Sequence, residues 1–280
     1  MRTPALFSVM ALAVLWFAMP VSTWAAGENW RERASSEQVV TSGDVSAEVA
    51  FGREIAARIL ARYKPYDDPA LIRYVNLVGL ALARNTNRPE LNFHFMILDT
   101  SEVNAYAAPG GYVFITKGAL QLMKDESELA GALAHEISHV AEMHVVKELK
   151  IKGTDDSAIS GLAQLAGGST ESARAAFSQA VDKGLEMIFK NGYKREDEMQ
   201  ADKTAVSISA LSGYDPAGLA KYLNRISAGK EKITDPSDPT HPTFAARISQ
   251  INDVIAKDGI DGGTLATNKE RFAAVIKDLK

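Results

Sequence analysis

Residues 129–144 read LAGALAHEISHVAEMH, and they hold three of the chain's five histidines. His135 and His139 are four residues apart. In a helix that spacing leaves them about 40° apart in direction, so both imidazoles stand on one face, one turn above the other. Such a pair suits two of the four positions around a tetrahedral Zn²⁺. Glu136 is turned by about 100° from His135 and cannot share that position, but it can reach a water held by the ion and take its proton. From Leu129 to Ala141 every residue outside the motif is uncharged. A helix of that composition is buried on most sides, where two imidazoles and a carboxylate are costly unless a cation or another partner meets them.

A third ligand has to come from elsewhere. His144 lies five residues beyond His139, about 140° away around a continuous helix, and is expected to point in another direction. Glu142 shares the face of His135 but sits about 10 Å further along the axis. The longer H-E-x-x-H-x-x-G-x-x-H pattern requires Gly and His at positions occupied here by Glu142 and Val145. The stretch REDEMQADKTA (195–205) supplies candidates. Glu198 and Asp202 are four apart and share a face, so one can bind metal while the other holds a ligating imidazole by its free N–H. Ala201 and Ala205 flank that face and would let the two helices approach closely. Glu196 and Asp197 point away, as a solvated charged face.

Around these helices the periodicity predicts a mixed α+β domain. Amphipathic helices are expected over 47–63 and 69–84, the second opened by Asp68 as cap and Pro69 as first helical residue. Alternation over 91–97 predicts a strand, with His94 opposite Phe93 and Phe95 as a surface or packed histidine, not a ligand. A second strand is expected over 112–116, after the turn Pro109-Gly110-Gly111. One helix is expected from 126 to about 150, with Asp125 as N-cap. Others are expected over 194–211, stopped by Gly213, over 216–227 and over 243–257. The Gly-, Ala- and Ser-rich stretch 153–177 suits short helices around a connecting loop.

The 280 residues carry a net charge of −4 at pH 7 and no cysteine. Disulfides, a thiolate nucleophile and cysteine-based zinc clusters are thereby excluded, and no basic stripe argues for nucleic acid. Arg2 is the only charge before Glu28, and an apolar stretch from Ala5 to Ala18 precedes small residues at Thr23 and Ala25. That pattern predicts a secretory signal peptide over residues 1–25, with an uncleaved anchor as the alternative, followed by a single domain over 26–280. No spanning membrane segment is expected after signal removal.

Four stretches, NAYAAPGGYVFITKGAL (104–120), ELAGALAHEISHV (128–140), EMQAD (198–202) and HPTFAAR (241–247), occur in this order. Together they resemble the gluzincin metallopeptidase family of the CAAX prenyl endopeptidases, HtpX and BepA-like periplasmic proteases, over about residues 49–251. The resemblance implies a mainly helical zincin-type metallopeptidase domain with a small β-sheet beside the active-site helix. It further implies one Zn²⁺ per chain held by His135, His139 and Glu198, with Asp202 as the orienting carboxylate. A strand matching Gly110, Gly111, Tyr112, Val113 and Phe114 would lie beside the zinc, where an edge could pair with an extended polypeptide. A Pro-stiffened loop carries His241, and Arg247 follows about a turn and a half into the next helix, so both are expected to reach the cleft. There His241 would either donate to a developing oxyanion or occupy the open zinc position.

The expected protein is thus an exported zinc-dependent endopeptidase that cuts extended or misfolded polypeptides in the periplasm, with envelope proteins as possible partners. Intramembrane and prenyl-protein substrates are not expected, because the chain lacks the spanning helices of the membrane members. The rival from another class is a chaperone-like binding module with a structural zinc. Glu136 disfavours it, since a structural site needs four ligands and no general base.

Overall fold

A computed structural model describes residues 29–33, 40–152, 171–229 and 242–279. The leader sequence, most of the 153–177 stretch and His241 lie outside the described residues. A single turn, α1 (Trp30–Arg33), precedes two long helices, α2 (Ser42–Arg62) and α3 (Pro69–Ala83). Both long helices begin where side chains satisfy their first N–H groups. Thr41 and Asp44 form a reciprocal capping box on α2, which starts it ahead of the apolar periodicity at 47, and Asp68 caps α3 just before Pro69.

Three strands follow: β1 (His94–Leu98), β2 (Ala105–Ala108) and β3 (Tyr112–Thr116). Their spatial order is β1-β3-β2, with β1 parallel and β2 antiparallel to β3. The β2–β3 turn needs its glycines: Gly110 and Gly111 sit at φ 76° and 95°, a region that residues with a Cβ rarely adopt. His94 is exposed and stacks on Tyr112, at the surface position expected for it. The outer edge of β1 is closed by backbone and side-chain donors. Tyr66 N–H donates to Ile97 O at 2.8 Å, Asp99 N–H to Lys64 O at 2.8 Å, and Asn76 Nδ2 of α3 to Phe95 O at 2.9 Å.

The pleat divides the interior in two. Phe95, Ile97, Ala107, Val113 and Ile115 face a core shared with α3 and the helices that follow the sheet. Leu98, Tyr106, Ala108 and Phe114 face a second core built on α2. An apolar run such as Tyr-Val-Phe-Ile is what a strand covered on both faces requires.

After β3 come α4 (Lys117–Leu122), α5 (Glu126–Ala141) and α6 (His144–Leu149). Then follow α7 (Glu171–Glu186), continued by a π turn over Met187–Asn191, and α8 (Arg195–Leu211), α9 (Gly218–Gly229), α10 (Phe244–Lys257) and α11 (Lys269–Ile276). Helix α5 lies between the sheet, α8 and α9, and all of its residues are buried. Its approach to α9 leaves no room for a β-carbon: one added at Gly131 would come within 2.4 Å of Leu219 N, and one at Gly218 within 2.0 Å of Ser127 O. The expected single helix over 126–150 is two helices. Met143 takes a left-handed conformation, φ 59° and ψ 35°, which ends the α5 ladder and starts α6 in a new direction.

The first residue of α5 anchors it. Glu126 is fully buried and accepts from Tyr74 Oη of α3, Tyr214 Oη at 2.8 Å, Asn268 Nδ2 at 3.2 Å and the Arg271 guanidinium of α11. Burial pushes this carboxyl upward, but the hydrogen bonds from Arg271, Tyr74 and Tyr214 outweigh it and hold the pKa below the ordinary carboxylate value. A depressed folded value means that the contribution is complete above the unfolded value near 4.5 and is lost as pH falls through the folded one. Glu126→Gln should therefore cost about 1–3 kcal/mol at pH 7. Urea unfolding of both proteins from pH 7 to 3 should show that difference shrinking below about pH 4.5, and a constant difference would contradict the assignment.

Candidate active site

The site forms where α5 faces α8. His135 Nδ1 donates to Asp202 Oδ1 at 3.0 Å, which turns its Nε2 toward His139 Nε2, 3.1 Å away. Glu198, one turn before Asp202 on α8, closes the triangle: Oε2 is 3.6 Å from His135 Nε2, and Oε1 is 3.5 Å from His139 Nε2. Metal–ligand bonds of about 2.0–2.1 Å at tetrahedral angles place neighbouring donors roughly 3.3 Å apart. The observed triangle has that size, so His135, His139 and Glu198 fit one small cation. They are the group of potential metal ligands found among the described residues.

Asp202 is 0% exposed and does not depend on His135 alone. Arg247 of α10 grips it through Nε at 2.8 Å and Nη2 at 2.7 Å, and pairs with Glu198 Oε2 through Nη1 at 2.9 Å. Burial pushes Asp202 upward, yet Arg247 and the His135 hydrogen bond more than offset it and hold the carboxyl below its ordinary range. Arg247 does line the cleft, but Nε, Nη1 and Nη2 are all engaged with carboxylates. His139 is held well below the ordinary histidine value, first by burial and then by the neighbouring His135, His144 and Arg247, so its ring is neutral and has a lone pair to offer. Glu136 lines the same cleft, and burial pushes its carboxyl up to about 7.

Two neighbours of His139 escaped the sequence reading. The left-handed Met143 brings His144 back so that its Nδ1 lies 2.9 Å from His139 Nδ1, which corrects the expectation that it points elsewhere. That expectation assumed an unbroken helix. Asp197 is likewise only part exposed, with Oδ1 3.7 Å from His144 Nε2. Tyr193, just before α8, stacks on the His139 ring at 3.7 Å and 20° and donates its hydroxyl to Ala107 O at 3.4 Å.

The cleft, about 330 Å³, runs between β2 and α9. One wall is Val103 to Ala107, and the other is apolar, with Leu219, Tyr222, Leu223, Ile226 and Phe244. This corrects the strand assignment. Tyr112, Val113 and Phe114 belong to β3, whose two edges are both paired, and Gly110 and Gly111 form the turn against α2, where Gly110 N–H donates to Glu48 Oε1 at 2.9 Å. The strand beside the cleft is β2. Because Thr116 N–H donates to Asn104 O at 3.0 Å, the narrow pairs of this ladder fall at 104, 106 and 108, so Ala105 and Ala107 turn their backbone groups away from β3. The turn at 109–111 is the sequence signal for β2, since a hairpin needs a strand on each side.

A triangle of donors that opens onto a cleft leaves one side of an ion accessible, and this separates a catalytic metallopeptidase centre from a structural metal clip. The comparison with known families agrees: the chain belongs to peptidase family M48, whose model matches residues 69–255. A beta-barrel assembly-enhancing protease of Yersinia pestis is 26% identical over 211 residues, 73% of this chain and 43% of that protein. Metalloprotease LoiP of Escherichia coli K12 is 29% identical over 184 residues, 65% of this chain and 70% of that protein. The mitochondrial metalloendopeptidase OMA1 of Schizosaccharomyces pombe is 25% identical over 205 residues, 71% and 56% of the two chains. The chain thus spans less than half the length of the beta-barrel assembly-enhancing proteases it matches. No helix among the described residues is long and apolar enough to cross a membrane.

Removing Arg247 would leave the Asp202 charge buried against an imidazole alone. Arg247→Ala should lower the unfolding free energy by roughly 3–5 kcal/mol, and adding Asp202→Asn should restore part of it. Urea unfolding of chelator-treated proteins measures this apart from metal binding. A loss under about 1 kcal/mol would mean that the pair is effectively solvated.

Proposed function

We propose that this chain is a zinc-dependent endopeptidase that cuts extended or misfolded polypeptides. The observation that carries this is the His135, His139 and Glu198 triangle opening onto a cleft that also holds Glu136. His135 and His139 would hold zinc through Nε2 and Glu198 through its carboxylate. Zinc bound there would supply a Lewis acid that polarises the scissile carbonyl and activates water. Asp202 keeps the proton of His135 on Nδ1, leaving Nε2 as the donor to the ion. A carboxyl pushed to about 7 by burial, as Glu136 is, can take a proton from water and pass it to the departing amine. On the edge of β2 that faces the cleft, Ala105 offers its C=O to a substrate strand, and its N–H, held by Asn104 Oδ1 at 2.9 Å, could exchange that contact for one with the substrate, which favours an extended chain over a folded one. Leu219, Leu223 and Ile226 opposite it favour apolar side chains, the kind that unfolded proteins expose.

Export to the periplasm and a role in envelope protein quality control complete the proposal. They are supported by the leader pattern of residues 1–25 and by relatives named for enhancing β-barrel assembly. The remainder, 26–280, would act as one domain. A net charge of −4 and no basic stripe speak for polypeptide and against nucleic acid as the ligand.

Digestion of casein with and without a chelator, alongside variants, tests the assignment. Glu136→Gln should keep near-stoichiometric zinc and lose activity by at least about a hundredfold. Glu198→Ala should lose zinc, whereas Glu196→Ala should retain it. Zinc loss in Glu136→Gln, or unchanged zinc in Glu198→Ala, would overturn these roles. Cleavage sites mapped by mass spectrometry should cluster beside bulky apolar residues, and Leu223→Arg should shift them toward acidic ones; a site distribution indifferent to Leu223→Arg would remove the apolar wall from substrate selection.

A further inference from the structure

The two imidazoles of the triangle are held from behind by different chemistry. His135 has a carboxylate behind it, Asp202 Oδ1 at 3.0 Å. His139 has another imidazole, with His144 Nδ1 at 2.9 Å from its own Nδ1. Two Nδ1 atoms at that distance share a single proton. If His139 commits its Nε2 lone pair to an ion, as proposed above, its proton has to sit on Nδ1, and His144 Nδ1 must accept it. The proton of a neutral His144 then lies on Nε2. That atom is buried without a close hydrogen-bond partner, with the Gln200 side chain and Asp197 Oδ1, 3.7 Å away, as polar neighbours of the ring.

We propose that His144 is a positioning residue for the metal centre: by accepting the Nδ1 proton of His139 it holds that ring in the tautomer and orientation that present Nε2 to zinc. This rests on the zinc reading above. Packing alone is a poor account of the residue. His144 is 4% exposed, and an apolar side chain would fill the same space without leaving a buried donor unpaired. The backbone also departs from a regular helix to bring it there, through the left-handed Met143. An imidazole acceptor, unlike a carboxylate, adds no negative charge to a site that already gathers Glu136, Glu198 and Asp202. The Tyr193 ring, stacked on His139, hinders rotation about the Cβ–Cγ bond of that imidazole, and a hydrogen bond at Nδ1 fixes the ring further.

The test compares zinc affinity, by chelator competition, in the full chain as wild type, His144→Gln, His144→Phe and His139→Ala. His144→Phe should bind zinc roughly 10 to 100-fold more weakly. His144→Gln, whose side-chain carbonyl can accept the same proton, should stay within a few fold of wild type. Affinity in His144→Phe equal to wild type, or a loss in His144→Gln as large as in His144→Phe, would overturn the proposal. Should His144→Phe fail to fold, nitrogen-15 NMR of the zinc-loaded wild type decides: a proton on His144 Nε2 is expected, and one on His144 Nδ1 refutes the assignment. His139→Ala separates the two readings: zinc binding that survives that variant overturns the ligand set and the positioning role with it, whereas zinc binding lost in His139→Ala but kept in His144→Phe overturns the positioning role alone.

Discussion

Every residue of α5 is buried, so each ionisable side chain on it must find its partner in another element. Glu126 draws in Tyr74, Tyr214, Asn268 and Arg271, and Glu128 draws Arg225 of α9 at 2.9 Å. His135 meets Asp202 and His139 meets His144. The helices around α5 are thereby arranged as much by polar satisfaction as by apolar burial. Gly131 and Gly218 supply the remaining condition, since without a β-carbon at either position α9 can lie directly on α5. The site is then the place where this demand is met by imidazoles and carboxylates together, and where a cleft admits a ligand from outside.

Much of this was legible in the sequence because it depends on local rules. The four-residue spacing of His135 and His139, and of Glu198 and Asp202, follows from helical geometry and needs no tertiary information. Asp68 before Pro69, and Gly213 at φ 82° beyond α8, are boundary signals of the same kind. The choice of Glu198 over Asp202 as ligand came from family resemblance, and in the structure Glu198 is the carboxylate that closes the triangle. What stayed hidden depends on context. Methionine has no preference for a left-handed backbone, so nothing in AEMHVV announces the break that returns His144 to His139. Strand β2 reads Ala-Tyr-Ala-Ala, a weak strand former that pairs because the glycine turn brings it against β3. Tyr193 is a lone aromatic in a polar stretch, and only the fold shows that it covers a histidine ring.

Tyr193 also joins two parts of the site that differ in kind. Its ring rests on His139, and its hydroxyl holds Ala107 O on the strand beside the cleft. Arg247 is a comparable bridge on the opposite side, tying α10 to the two carboxylates of α8. The donor triangle is consequently braced from several elements distant in sequence, which explains how a strongly charged cluster keeps its geometry inside an otherwise apolar core.

The closed outer edge of β1 bears on how such a chain behaves at high concentration. A small sheet has two margins, and an open margin is a template on which further strands can stack without limit. Here Tyr66, Asp99 and Asn76 seal one margin, while the other lies within a cleft facing α9. Growth of a ribbon from copy to copy needs both margins, so a strand that docks in the cleft ends the array instead of extending it. The fold is in this way kept from seeding fibrils of its own.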